Sequence, residues 1–352
     1  MSHKIWLMEG LSSQRDIITG ITSTAKKHNY NVSIYASHRQ QRNEILSLAD
    51  YALIEPNDVN QRLEFILSTV EKYAIQAIHT GRHAHWFEAH RAAIEASGAR
   101  LTTGARDLAM LDLADDKVAF AQRMESLNLP VVPSLRVDSP AQLRELIASQ
   151  PFGDLPLCVK PVKGIYGMGF WQFDESVSPM AAFTHPDARR VNAKYYLQAL
   201  EAADSMEPLV LMPWLPGPEY SVDMLAENGK VLAAVARRKE GALQYLEHSG
   251  EAFELAQACA AAMIADGLIN VQTRNDASGK PLLLEINMRP SGGIGYTRFS
   301  GVNLPGLFAL RQLGLISQQQ AIDESRSAFA PATVRALSDV VAYNSVLSNQ
   351  VQ

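Results

Sequence analysis

The first hundred residues alternate short apolar runs with longer amphipathic stretches, and this rhythm limits the available folds more than any other feature. Ile5 to Met8, Val32 to Tyr35, Ala52 to Ile54, Ile75 to His79 and Arg100 to Thr102 have the length and residue types of strands. Residues 14–28, 59–72 and 85–96 between them have helical spacing. Asp58 is placed to cap the second of these helices, with Gln61 three residues on, and Gly98 to end the third. Strands separated by helices predict a parallel, doubly wound sheet, whose ligands sit at the carboxyl ends of the strands. Glu9, Arg39, His79 and Arg82 fall at those ends.

Near residue 113 the rhythm changes. A helix from Asp115 to Leu127 and another starting at Ser139-Pro140 precede a strand-rich stretch. Its strands are Leu157–Pro161, Phe170–Phe173, Val210–Met212, Tyr220–Leu225, Val231–Val235, Ile269–Gln272 and Leu282–Ile286, with an alanine-rich helix from Glu251 to Gly267. The fold class is therefore α/β followed by α+β. At 352 residues the chain has room for two or three domains. Its 47% hydrophobic and 20% charged content excludes disordered, collagenous and coiled-coil classes. With 32 basic against 37 acidic residues, a net of −5 and no block of like charge, no nucleic-acid partner is expected. No stretch reaches the roughly 18 apolar residues of a membrane helix, so the expectation is a soluble, cytoplasmic protein without a membrane partner. Cys158 and Cys259 are too few for a disulfide framework or a four-thiolate zinc site and are expected as buried structural thiols.

Three segments carry chemistry. VKPVKGIYGMGFW, residues 159–171, sets Gly164, Gly167 and Gly169 between two strands. That spacing is not a dinucleotide fingerprint, and no Walker-type loop occurs in the chain. A glycine-rich hairpin can still fold over phosphates with its backbone N–H groups. The plainer reading is a flexible turn, against which Lys160 and Lys163 favour phosphate. INVQTRNDASGKPLLLEINMRPSGG, residues 269–293, predicts two strands joined near Ala277–Lys280, with Gln272 opposite Glu285. Glu285, Asn287 and Arg289 are two apart and share one face. Gln272, Glu285 and Asn287 offer oxygens to a hard cation, and Arg289 suits a phosphate or carboxylate. A polar edge hairpin is the bland alternative, but Leu282 to Ile286 is too apolar for one. LVLMPWLPGPEYSVDML, residues 209–225, is a strand, a Pro/Gly-rich bend and a second strand, with Glu219 just beyond the bend.

Together these segments resemble the ATP-grasp superfamily, in its own order, from Asp116-Lys117 to about residue 310. The NVQ and EINMR pattern is similar to that of carbamoyl-phosphate synthetase halves, and the WLPGPE bend to that of D-alanine–D-alanine ligase. The resemblance implies an amino-terminal doubly wound domain (residues 1–112) followed by a two-lobed ATP-grasp fold. Its small lobe, residues 113–210, would carry the flap, and its large lobe, residues 211–352, the metal site. It implies ATP, with Mg²⁺ or Mn²⁺, as cofactors. Lys117 and Lys160 would contact the nucleotide, Gly164, Gly167 and Gly169 would cover its phosphates, and Glu219 would hold the ribose. The Pro213 carbonyl and Leu215 N–H would read the adenine edge. Gln272, Glu285 and Asn287 would bind the metal, and Arg289 the γ-phosphate. Met212 stands where an acidic hinge residue is frequent, which implies looser base selectivity. Ile165 and Tyr166 make the flap bulkier than small-residue versions.

The function this implies is an ADP-forming ligase that joins a carboxylate to an amine or similar nucleophile, with Arg289 and Lys160 catalytic. One alternative activates bicarbonate, as a carboxylase or carbamoyl-phosphate former does, although no duplicated half or biotin-type lysine motif is present. Another is a regulatory subunit that binds ATP without turnover, against which the complete metal set argues. The partners expected are small-molecule carboxylate and amine substrates, with a homodimer left open. His79 and Arg82 are expected to face the substrate, and Arg39 and Arg82 are candidates for its carboxylate, salt bridges to Asp or Glu being an equal alternative. In the loop after Arg289, Ser291, Tyr296, Arg298 and Asn303 are acceptor-site candidates or plain loop residues. The histidines of GRHAHWFEAH, residues 81–90, match no zinc spacing.

Overall fold

A computed structural model of the chain describes residues 2–10, 13–164, 167–338 and 340. It divides into two compact units, one of Met1–Leu111, Glu219–Gln272 and Ile286–Gln352, the other of Asp112–Pro218 and Thr273–Glu285. The flap residues Ile165 and Tyr166 lie outside the described residues.

The first unit begins with β1 (His3–Leu7), α1 (Gln14–Lys27), β2 (Val32–His38), α2 (Asn43–Leu46) and β3 (Tyr51–Ile54). There follow α3 (Val59–Tyr73), β4 (Ala77–His79), α4 (Ala84–Ala89), α5 (Arg91–Ala96) and β5 (Arg100–Thr102). The strands form one parallel sheet in the order β3-β2-β1-β4-β5. Strand order reverses between β1 and β4, the place where a doubly wound sheet opens a crevice. There the loops leaving β1 and β4 meet backbone to backbone. A Cβ on Gly81 would overlap Gly10 Cα and come within 2.8 Å of the Glu9 carbonyl. The expected single helix over 85–96 is two, broken at His90, whose Nδ1 donates to the Trp86 carbonyl at 2.7 Å and competes with the helical ladder.

Next come β6 (Gly104–Ala105) and α6 (Leu108–Asp115). The second unit holds α7 (Lys117–Ser126), β7 (Leu135–Val137), α8 (Pro140–Ser149), β8 (Leu157–Pro161) and β9 (Trp171–Phe173). It also holds α9 (Ala181–Thr184), β10 (Arg190–Val191), α10 (Ala193–Glu201) and β11 (Leu209–Pro213). Its sheet runs β10-β9-β8-β11-β7 and is apolar on both faces. Val159, Leu209 and Leu211 pack on one side with Val137 and Leu143, and Cys158, Val210 and Met212 on the other with Val118 and Val162. Lys160 lies opposite Val210, on the Cys158 side.

The remaining elements are β12 (Glu219–Glu227), β13 (Lys230–Glu240), β14 (Leu243–Glu247), α11 (Glu251–Ala262), β15 (Ala265–Asn275) and β16 (Pro281–Asn287). They end with α12 (Leu304–Gln312), α13 (Gln318–Ala328) and β17 (Ala332–Arg335). The sheet order is β16-β15-β12-β13-β14-β17, with β6 on β15. The alanine-rich helix is shorter than the expected 251–267. Ile264 turns left-handed at φ +48°, and Ala265 and Asp266 pair with β6 instead. Both cysteines are buried, and burial pushes the Cys158 thiol up to about 12, as structural thiols require.

Helix α12 lies against α1 through Gly306, where any Cβ would overlap Thr24. Replacing Gly306 by valine should therefore cost about 1–3 kcal/mol by overpacking. Thermal denaturation should show a lower Tm than for Gly292→Ala, whose added Cβ meets nothing within 4 Å.

Candidate active site

In the second unit, Lys160 Nζ lies 3.1 Å from Glu285 Oε2, with side chains 12% and 22% exposed. Lys117 stands at the first position of α7, whose N-cap Asp116 accepts from the Val118 and Ala119 N–H groups. A cation is disfavoured there by the helix dipole. Its ammonium donates to the carbonyls of Val162 and Gly164, both at 3.2 Å. Burial holds its pKa below the ordinary lysine value, Glu285 opposing the shift and Lys160 adding to it. Two ammonium groups thus stand near the Glu285 carboxylate at the root of the glycine-rich loop, with Asp115 and Asp116 adding negative charge around Lys117.

Gly167 and Gly169 adopt φ of +64° and +70°. At Gly169 a Cβ would also come within 2.8 Å of the Pro161 ring, so only glycine suits this return. Lys163 and Gly164 beside it are exposed. At the bend, the Pro213 carbonyl accepts a weak bond from the Cys158 thiol at 3.8 Å, and Leu215 is buried. Arg274 braces this bend, its guanidinium 5.6 Å from the Trp214 ring centroid and its Nε donating to the Gly217 carbonyl at 3.2 Å.

In the first unit, Glu219 pairs with Lys239, directly across β12 and β13. Along β16 and just beyond it, Glu285, Asn287 and Arg289 are half-buried while Ile286, Met288 and Pro290 are buried, so the first three share one face. Arg289 Nη2 donates to Asn287 Oδ1 at 3.1 Å and Nη1 to the Pro290 carbonyl at 3.3 Å. Gln272 is half-buried on β15, the neighbouring strand. Ser291 and Tyr296 gather round a residue that sequence reasoning passed over, Arg237. Arg237 is 3% exposed and donates to Asp223 at 2.8 Å, Ser221 at 2.9 Å, Ser291 at 2.8 Å and Gln244 at 2.6 Å, with its guanidinium 5.7 Å from the Tyr296 ring centroid. Arg298 is exposed beside Phe299. Asn303 caps α12, accepting from the Gly306 N–H, while its amide donates to Gly20, Ser23 and Thr24 of α1.

At the carboxyl ends of the first sheet, Arg39 forks onto Glu9, and Arg82 Nη1 lies 3.8 Å from Glu9 Oε1. His79 ends β4, packs edge-on against Phe308 at 5.0 Å and finds no hydrogen-bond partner for either ring nitrogen among the described residues. It lines a small crevice with Gly10, Gln14, Gly81 and Arg289. Burial pulls its pKa down to about 4. Among the described residues, no three His, Cys, Asp or Glu side chains group to hold a metal, and no helix is long and apolar enough to cross a membrane.

Comparison with solved structures assigns the fold. An N5-carboxyaminoimidazole ribonucleotide synthetase in its ADP complex superposes with a TM-score of 0.62 at 18% identity, over 89% of this chain and 77% of that one. An L-amino acid ligase from Bacillus licheniformis gives 0.58 at 15% identity, over 88% and 74%. Biotin carboxylase from Campylobacter jejuni gives 0.62 at 15% identity, over 90% and 72%. No curated protein matches the sequence. The fold is thus that of an ATP-grasp ligase or carboxylase. Residues 205–338 match a family model described as ATP-grasp in the biosynthetic pathway with Ter operon. The family match over that segment and the structural likenesses over most of the chain agree on an ATP-grasp fold.

The buried His79 sets a pH dependence. Its folded pKa of about 4 lies below the unfolded 6.5, so the unfolded chain takes up the proton first. Stability present above about 6.5 is lost as pH falls towards 4, by up to about 3 kcal/mol from this group. Unfolding of His79→Leu followed across that window should show a shallower loss than the parent. Equal slopes would mean His79 is protonated in the folded state.

Proposed function

We propose that the protein is an ADP-forming ligase that activates a carboxylate as an acyl phosphate and joins it to an amine or similar nucleophile. The observation that carries the reading is the Lys160–Glu285 pair at 3.1 Å, with Asn287 and Arg289 following Glu285 at intervals of two. A half-buried carboxylate held by an ammonium, with an amide oxygen next on the same face, suits a hard cation such as Mg²⁺. Glu285, Asn287 and Gln272 would hold it, and Arg289 keeps the Asn287 oxygen oriented. When bound, the ion would neutralise phosphate charge.

Lys117 and Lys160 supply positive charge to the nucleotide phosphates, and the Gly164, Gly167 and Gly169 loop covers them. The Pro213 carbonyl and Leu215 N–H meet the adenine edge. Glu219 takes the ribose hydroxyls, exchanging part of its contact with Lys239 for them. Arg289 steadies the charge that grows on the transferring phosphoryl group. In the first step a carboxylate oxygen bonds to the γ-phosphorus and ADP leaves. In the second the amine nitrogen bonds to the acyl carbon, phosphate leaves and one proton is released. The chain's contribution is positioning and charge neutralisation, so no side-chain nucleophile is required. Similarity to an L-amino acid ligase supports this reading. Bicarbonate as the acid is a second reading, favoured by the likeness to a biotin carboxylase and a carboxyaminoimidazole synthetase.

An ADP-release screen across amino acids, small carboxylates and bicarbonate, with mass analysis of the product, separates the two. In either case nucleotide chromatography should find ADP and phosphate. AMP and pyrophosphate as the main products would contradict the proposal.

A further inference from the structure

The parallel strands of the first unit end in a ring of charge that the nucleotide and metal set does not use. Glu9 follows β1, His38 and Arg39 close β2, Glu55 follows β3, Arg82 and His83 follow β4, and Arg62 comes from the first turns of α3. Most of this charge is internally matched. Glu9 takes the fork of Arg39, with Arg82 and His38 each 3.8 Å from its Oε1. Glu55 Oε1 accepts the Glu9 N–H at 2.6 Å and the Ser37 hydroxyl at 2.7 Å.

Arg62 is the member left over. It is 4% exposed, its Nε is buried with no hydrogen-bond partner, and among the described residues no carboxylate stands within ion-pair distance of it. Its guanidinium rests on the face of Trp86, 5.1 Å from the ring centroid. The Glu55 carboxylate feels the Arg62 charge but makes no direct bond to it, and a guanidinium withdrawn from water without such a bond is unfavourable, an aromatic face offsetting only part of that cost. Two neighbouring observations point the same way. His83, at the start of α4, is held left-handed at φ +58°, an unusual state for a non-glycine residue and one that clusters at ligand sites. Burial is the main cause that keeps His38 and His83 below the ordinary histidine range, with nearby arginines, Arg62 among them at His83, adding to it and Glu9 opposing it.

We propose that the carboxyl ends of β1 to β4 take the anionic group of the small-molecule substrate, a carboxylate or a phosphate, on the unpaired guanidinium of Arg62, with Arg82 and His83 beside it. The planar fork of Arg62 meets two oxygens of such a group at once, and Trp86 fixes the plane in which it is presented. Arg39, committed to Glu9, holds the floor of the site and does not compete for the ligand. The inference rests on the ligase reading only in calling the anion a substrate group. The site itself is measurable without turnover.

The test uses the whole chain without ATP, titrated calorimetrically with inorganic phosphate and, separately, with succinate. At least one should bind, and the preferred one tells a phosphorylated from a carboxylic ligand. Arg62→Met keeps the contact with Trp86 but removes the charge, and should weaken that binding about 10- to 100-fold. Its anion-free Tm should match or exceed the parent's, because a buried charge without a direct hydrogen bond at Nε has been removed. If Arg62→Met does not fold, Arg62→Lys should still bind more weakly than the parent, having lost the fork. Arg144→Met, which removes an exposed cation, should bind normally. Failure of both anions to bind the parent, or unchanged binding in the Arg62 variants, would overturn the proposal. Anion binding without ADP release would count against the ligase reading alone, and ADP release without Arg62-dependent binding against this inference alone.

Discussion

Two opposite charges taken partly out of water, Lys160 and Glu285, face each other across the two stretches of chain that make the second unit. Lys160 comes from the long stretch Asp112–Pro218 and Glu285 ends the short one, Thr273–Glu285. Backbone bonds run beside the pair, from Val132 N–H to the Leu283 carbonyl at 3.0 Å and from Leu283 N–H to the Pro130 carbonyl at 2.9 Å. These account for an apolar strand at the end of a sheet, because the Pro130 to Val132 segment covers its outer edge. The ion pair is a poor device for stability, since desolvation consumes much of the attraction between such charges. A pair of packed apolar residues would serve the hairpin equally well. Its chemistry, with Lys117 adding a second ammonium at the helix start, is what supports a phosphate and metal role.

Much of the fold was legible because period and punctuation agreed. Leu157–Pro161 and Arg100–Thr102 form strands residue for residue, and Asp58 and Ser139 cap the helices they precede. The common face of Glu285, Asn287 and Arg289 follows from a period of two alone. What escaped was set by tertiary pairing. The Asn228-Gly229 turn pairs Glu227 with Lys230, and carried on unbroken that register would set Arg238 opposite Glu219. A bulge between Leu225 and Ala226 slips the strands by one and brings Lys239 there instead. Arg237, Arg274 and Arg62 were equally invisible. Each is an arginine in an ordinary strand or helix pattern, and only its neighbours in space show that it is buried or braces a bend.

Glycine choices in the first unit follow from the same crowding. Gly293 lets Arg237 pass, since a Cβ would come within 2.6 Å of its Nη1, and Gly104, at φ +99°, lies where any side chain would overlap the Met288 carbonyl. The loop after Arg289 is therefore shaped around a buried arginine that is already fully engaged. That makes Ser291 and Tyr296 supports of Arg237 in this structure, and Asn303 a helix cap, whatever else they touch when a ligand is present.

The central claim is that Glu285 contributes to a metal site completed by the nucleotide. Gln272, Glu285 and Asn287 bring three oxygen-bearing groups but a single negative charge, too little to hold Mg²⁺ firmly, since that ion sheds water reluctantly. Calorimetric titration of Mg²⁺ into the protein and into Glu285→Gln, each with and without a non-hydrolysable ATP analogue, tests this directly. The account expects weak binding to the nucleotide-free protein, a large gain with the analogue, and loss of that gain in Glu285→Gln. Tight binding to the nucleotide-free protein that disappears in Glu285→Gln would show a metal cage formed by the chain alone, and would contradict it.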